Sequence, residues 1–338
     1  MTKIRAFLKK KGVEPSPRLY FVGTTATMTL GLFSSLIIGL ILHEIGSRTG
    51  IPVLAQIGTT AMSLTGAAIG VAVAHALKAP PLVLFAAVIV GAIGNSYGSI
   101  VGAWLAALVA VEAGKLVSKS TKIDIIITPV AVLLVGYAVA YAVGPPMDWF
   151  MRSVGDFLLW ATELQPLLMG IIIAAVMGMI LTSPISSAAI AMMIGLSGLA
   201  AGAAAAGTAA QMIGFAIAGY RENKLSGLIS QGLGTSMMQF PNIIKNPKIW
   251  IPATSASAIV GGLSTTVFSM QNNAMGAGMG TSGLVGQFNT LTVMGFTNDV
   301  LLRIGLLHFI IPAVLALIFS EFLRKKGWIK PGDMKINE

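Results

Sequence analysis

Residues 166–189 read PLLMGIIIAAVMGMILTSPISSAA, and two features of this stretch decide the fold. From 166 to 181 it is continuously apolar at helical length, without the period-two alternation of a barrel strand. It then stops at Thr182-Ser183-Pro184, where hydroxyls gather and Pro184 lacks a main-chain donor. About ten such apolar runs follow one another between residues 19 and 320, and the few ionisable residues lie mostly at segment ends. The composition agrees, at 55% hydrophobic and 10% charged, with a mean hydropathy of +0.84. A soluble chain carries roughly a quarter of its residues charged, so the main solvent of this chain is lipid. In lipid every main-chain N–H and C=O must be satisfied within the protein, which leaves helices or closed barrels. The expected fold is an all-α polytopic membrane protein with about ten transmembrane helices and one or two re-entrant hairpins.

The net charge of +10 does not point to nucleic acid, because the basic residues sit in flanks and loops. Lys3, Arg5, Lys9, Lys10, Lys11 and Arg18 precede the first apolar run, and Arg324, Lys325, Lys326, Lys330 and Lys335 follow the last. Positive charge marks cytoplasmic loops. Both termini are therefore expected on the inner side of a bacterial-type cytoplasmic membrane, with an even number of crossings. Attraction of these clusters to anionic lipid is a secondary benefit. The absence of cysteine excludes disulfides, thiolate chemistry and Cys-based metal sites. The first apolar stretch is too long for a signal h-region and lacks a clear small-residue cleavage site, so it is expected to stay as an anchor.

Crossings are expected over 19–42, 52–77, 81–94, 99–117, 123–143, 166–181, 249–269 and 300–320. Two more fill 185–220, divided near the run from Gly202 to Gly207. The stretch 80–117 is too long for one crossing and is split because Gly94-Asn95-Ser96-Tyr97-Gly98 interrupts it. Residues 145–163 place Asp148, Arg152, Asp156 and Glu163 beside Trp149, Phe150, Phe157 and Trp160, an amphipathic pattern that lies in the membrane interface. Segments 225–248 and 271–287, rich in Gly and amides, read as re-entrant or irregular. Small residues four apart, such as Gly31, Ser35 and Gly39 or Gly170, Ala174 and Gly178, form ridges for close helix packing.

Irregular backbone at membrane depth survives only where protein or a water-filled cavity covers it, and transporters build substrate sites there. Three breaks qualify. The first is 182–187, with Thr182, Ser183, Ser186 and Ser187; the second is 231–242, with Thr235, Ser236, Gln239 and Asn242. The third is 271–282, with Asn272 and Asn273, where an ordinary loop is an equal reading. His308 lies within an apolar helix and is either a functional or a hydrogen-bonded structural histidine. Glu112 with Lys115, and Asp299 with Arg303, are spaced to pair along a helix. No phosphate-binding loop, paired-His metal spacing or nucleophile elbow is present. No catalytic residue, metal or cofactor is expected.

The stretch from Leu167 through Met177-Gly178-Met179-Ile180-Leu181-Thr182-Ser183-Pro184 to Ala189 resembles the membrane subunit, enzyme IIC, of sugar phosphotransferase systems. Fructose-type members carry G-x-x-x-G-x-M-x-x-x-D-M-G-G-P-x-N-K-A-A at the equivalent break. Gly144-Pro145-Pro146 and Ile251-Pro252 followed by Gly261-Gly262 fit the same family. The likeness is closest to the stand-alone group that includes perfringolysin-regulator-type membrane proteins. It implies a homodimer in which 19–144 form the scaffold and 164–320 hold substrate, flanked by the basic segment 1–18, the interfacial 145–163 and the basic tail 321–338. It also implies rigid-body, elevator-type movement of the substrate half and a separate IIB partner, with IIA, that phosphorylates the sugar. The chain departs from the pattern where Leu181 or Thr182 replaces Asp and Ser186-Ser187 replaces Asn-Lys. The family's T-E-G-A-I-P-F hairpin has its nearest counterpart in Thr235-Ser236-Met237-Met238-Gln239-Phe240-Pro241, which has no acid.

These readings converge on a transporter for a small neutral polar solute, a carbohydrate, held by Thr182, Ser183, Ser186 and Ser187 on one lip and Thr235, Gln239 and Asn242 on the other. The alternative is a membrane sensor or regulator that keeps the fold without turnover, which the missing carboxylate and Lys favour.

Overall fold

The computed structural model describes residues 3–336. Among them every regular element is helical, apart from an isolated antiparallel bridge between Gly198 and Asn272. The chain divides into two compact units, up to Phe150 and from Met151 onward.

The first unit holds α1 (Lys3–Lys10), α2 (Arg18–Thr49), α3 (Pro52–Ser63), α4 (Thr65–Ala76) and α5 (Pro81–Val117). Proline opens α3 and α5, where a missing N–H costs nothing, and Gly50 closes α2 at φ +69°. As one straight rod the 37 residues of α5 would extend roughly 55 Å, nearly twice the apolar core of a bilayer. They do not run straight. Gly98 and Ser99 leave helical geometry, Ser99 at φ +54°, and the chain doubles back on itself. A Cβ on Gly94 would run into the Gly102 carbonyl, and one on Gly114 would meet Val83. The turn lies next to the expected Gly94–Gly98 interruption, and small residues line the seam. Gly66 and Gly70 of α4 likewise bring its backbone against Gly91 of α5, replacing hydrophobic drive by close dispersion contact.

Helix α6 (Asp124–Thr162) contains Pro129, Pro145 and Pro146 and runs across the division. Residues 145–163 thus continue a helix begun at Asp124 instead of starting a new element.

The second unit contains α7 (Pro166–Thr182), α8 (Ser187–Met193), α9 (Gly198–Ala218), α10 (Tyr220–Ile229), α11 (Phe240–Lys245), α12 (Ile251–Thr266), α13 (Ala274–Met279), α14 (Val285–Met294) and α15 (Asn298–Lys325). Almost wholly buried, α9 packs against α7, α12 and α15. This corrects the expected division of 185–220. The run from Gly202 to Gly207 lies inside unbroken helix, and the break falls at 194–197, between Gly195 at φ +61° and Gly198 at φ +60°. The physical reason is that small residues serve close approach as readily as a turn. A Cβ on Gly202 would overlap the Met270 carbonyl, and one on Gly207 the main chain of Ala174. With seven residues, α8 is roughly 10 Å long and too short to cross. Segments 225–248 and 271–287 are broken into short pieces, as expected.

Among the described residues five helices, α2, α5, α6, α9 and α15, are long and apolar enough to span a membrane, or six when the α3–α4 pair, bent by 53°, is taken as one span. This is fewer than the ten crossings expected, partly because the doubled-back α5 counts once. Phe85, Ile125, Leu134 and Leu302 are exposed on the surface. In water such a surface aggregates, whereas acyl chains solvate it.

The seams predict a contrast between two glycines. Gly70→Val would force a side chain into the Ala87 carbonyl and is expected to cost about 1–3 kcal/mol, read as a lowered melting temperature in detergent. Gly305→Ala, with nothing within 4 Å of the added Cβ, is expected to leave it unchanged.

Candidate functional site

The first break follows from Pro184. The residue before a proline is driven out of the helical region, and Ser183 stands at ψ 166°, so α7 ends at Thr182. Ser183 Oγ donates to the Ile180 carbonyl (2.7 Å), and Ser186 Oγ accepts from the Ala189 N–H (3.2 Å) to cap α8. These two hydroxyls serve the turn itself. Thr182 and Ser187 reach outward. Thr182 Oγ1 stands 2.8 Å from Ser236 Oγ and 3.4 Å from Gln211 Oε1, while Ser187 Oγ donates to the Gly278 carbonyl at 2.5 Å.

The third break is a compact hairpin. Asn273 Oδ1 caps α13 by accepting from the Gly276 N–H (3.0 Å). Asn272 Nδ2 joins the two arms by donating to the Gly286 carbonyl (3.0 Å) and to Thr290 Oγ1 (2.9 Å). Its tip needs left-handed backbone at Gly280, Gly283 and Leu284. Gly280 sits so near the α9 backbone at Thr208 that a Cβ there would crowd it. Thr208 Oγ1 donates to the Ala277 carbonyl (3.3 Å). Thr281 and Ser282 donate to the carbonyls of Gly232 and Gly234 in the second break, the latter at 2.8 Å.

All three breaks therefore meet at the middle of α9, around Thr208 and Gln211. Thr182, Thr208, Gln211, Ser236 and Thr281 are fully buried there. Gln211 Nε2 donates to Thr254 Oγ1 of α12 (2.9 Å). Thr235 caps the following turn, its Oγ1 accepting from the Met237 N–H (3.2 Å).

Gln239 and Asn242, expected beside these hydroxyls, have other partners. Gln239 Nε2 donates to Gln231 Oε1 (2.9 Å) and to the Met334 carbonyl (2.8 Å). Asn242 Nδ2 donates to Gln239 Oε1 (3.0 Å) and to the Lys335 carbonyl (2.8 Å). Asn223 holds the same tail from both sides: its Nδ2 donates to the Met334 carbonyl (2.8 Å) and its Oδ1 accepts from the Ile336 N–H (2.9 Å). The last described residues are thus docked, with Met334 and Ile336 buried. Arg324 pairs with Glu222 (2.9 Å) and donates to the Ala218 carbonyl (3.0 Å), satisfying an end carbonyl of α9. His308 is fully buried in a π-helical turn of α15, where its Nδ1 lies 2.9 Å from Gln287 Nε2. The expected pairs Glu112–Lys115 (3.2 Å) and Asp299–Arg303 (2.8 Å) are present.

Gln211, Thr208 and Thr254 were not among the residues singled out from sequence. Gln211 had a readable signal, a lone amide in a 21-residue helix of mostly Ala and Gly. Burying an amide without a partner costs about 1–3 kcal/mol on mutational scales, so such a residue announces a polar neighbour. Among the described residues, no cluster of His, Asp or Glu could hold a metal ion.

Long apolar helices whose breaks gather hydroxyls and amides at one buried point are the build of a polytopic membrane protein. The chain belongs to the phosphotransferase system EIIC family, whose sequence model matches residues 23–336. EIIC is the membrane component of a sugar phosphotransferase system and works with EIIB and EIIA partners, which carry the phosphoryl transfer. No curated protein and no solved structure matched the chain.

The docked tail carries its own prediction. Asn223→Ala removes both bonds to the tail; the Met334 carbonyl keeps Gln239 Nε2, but the Ile336 N–H is left unpaired, at about 1–3 kcal/mol. Digestion of the variant with carboxypeptidase is expected to proceed past Met334 under conditions where the unaltered protein resists.

Proposed function

We propose that the chain carries a small neutral polar solute, a carbohydrate, across a bacterial-type cytoplasmic membrane, with both termini inside. The solute binds in the second unit where the three breaks meet α9, and Thr182, Ser187, Gln211 and Ser236 are its principal contacts. The observation that supports this reading is the kind of bond found at the junction. Hydroxyls donate there to main-chain carbonyls or to other hydroxyls on separate segments. A sugar hydroxyl both donates and accepts, so a solute can replace these partners one for one. Each such bond contributes a net of about 0.5–1.5 kcal/mol, which keeps the exchange near balance, as a carrier that must also release its cargo requires.

Ser183, Ser186, Asn272 and Asn273 shape the two turns, and Gln239 and Asn242 act from the tail side once residues 334–336 withdraw. His308 orients Gln287. The first unit is the scaffold of a homodimer, and the second moves with its solute in elevator fashion, with about ten crossings in all. A separate IIB protein phosphorylates the sugar on arrival. A second reading, a sensor that binds without turnover, is favoured by the absence of any acid in 235–241.

Proteoliposomes offered labelled hexoses and polyols, with and without an EIIB partner and phosphoryl donor, test this reading. Saturable uptake is expected for at least one solute, with Gln211→Leu lowering it tenfold or more while the helical content persists. A solute that raises the melting temperature but is never taken up selects the sensor. Neither uptake nor stabilisation by any member of the panel overturns both.

A further inference from the structure

The second unit does not hold all the polar architecture. In the first unit, the end of α1, the loop from Lys78 to Pro80 and the end of α5 border an open hollow of about 390 Å³, within the usual range of ligand pockets at roughly 300–1,000 Å³. Five lysines are among the residues that line it: Lys10, Lys11, Lys78, Lys115 and Lys119. Lys10, Lys78 and Lys119 are exposed and Lys11 is half-buried, whereas Lys115 is only 3% exposed.

The acids close by do not balance them. Glu112 Oε1 takes one bond from Lys115 Nζ at 3.2 Å, and Glu112 Oε2 is buried without a hydrogen-bond partner. Asp124 Oδ1 accepts from the Lys119 main-chain N–H (2.7 Å) and from Thr128 Oγ1 (2.7 Å). Lys11 Nζ donates to the Ser118 carbonyl and to Ser120 Oγ, both at 2.6 Å, which fixes the α1 end over the cavity. With five positive groups against two carboxylates, the hollow keeps an excess of three. Like charges near one another repel, more strongly as water is excluded.

We propose that this cavity is a binding site for a phosphate-bearing anion. An ammonium is a compact point charge with three donors, and several of them around one hollow match the three or four oxygens of a phosphate group. The remaining volume takes part of whatever carries that group. Two sources share this chemistry, an anionic phospholipid headgroup and a soluble phosphate ester, and this site is separate from the solute junction proposed for the second unit.

The test uses the full-length protein stripped of lipid in a neutral detergent, with melting temperature and calorimetric binding as readouts. The probes are inorganic phosphate, glycerol 3-phosphate and nanodiscs of phosphatidylglycerol, with sodium chloride at equal ionic strength and phosphatidylcholine nanodiscs as controls. The variant is Lys78→Asn with Lys119→Asn. Both positions have positive φ, which Asn tolerates, so the fold is retained. A shift with the soluble phosphates, weakened tenfold or more in the variant, supports the site with a soluble ligand. A shift with phosphatidylglycerol over phosphatidylcholine, lost in the variant, supports it with lipid as the source. No response beyond the controls, or equal responses of variant and unaltered protein, overturns the proposal.

Discussion

Breaking a helix inside an apolar slab strands main-chain carbonyls where no water can reach them, and the second unit is organised around meeting that demand. Its three breaks solve the problem mutually. Ser187 serves the carbonyl of Gly278, Thr208 that of Ala277, and Thr281 and Ser282 those of Gly232 and Gly234. No segment could take its irregular path alone, because each would leave acceptors unpaired at several kcal/mol apiece in lipid. The breaks are therefore bound to meet, and α9 is where they meet. Its Ala- and Gly-rich faces let the hairpin tip at Gly280 and the loop at Met270 lie directly on the helix backbone.

The same bonds link architecture to the proposed transport. A hydroxyl–carbonyl pair is strong enough to hold a turn and close enough to balance to be exchanged for a solute hydroxyl. Charged groups would bind more tightly, at about twice the strength per bond, but would have to be desolvated together with the cargo. Charge is instead kept at the margins, as in the Arg324–Glu222 pair at the end of α9 and the lysines at the end of α5.

Much of this was legible in the sequence, for physical reasons. Membrane class followed from hydropathy, and the three breaks followed from hydroxyls, amides and Pro184 standing between apolar runs. The turn in 81–117 was readable because no single crossing needs so many residues. What could not be read were features in which one residue type has two uses. The Gly202–Gly207 run looked like a turn and is a packing face. Gln239 and Asn242, expected at the solute site, also hold the chain's own tail, whose residues 328–336 carry no pattern that announces docking. Periodicity likewise cannot say that α6 continues past Pro145 and Pro146, since proline is tolerated when neighbouring groups satisfy the freed carbonyl.

The convergence of the breaks on α9 is open to one direct measurement, because the chain contains no cysteine of its own. Thr182→Cys combined with Ser236→Cys places two thiols where the oxygens stand 2.8 Å apart. Mild oxidation in native membranes should close an intramolecular disulfide, blocking maleimide labelling of the subsequently denatured chain and halting uptake until a reductant is added. Two thiols that stay free and fully labelled after oxidation would mean that the first and second breaks do not meet.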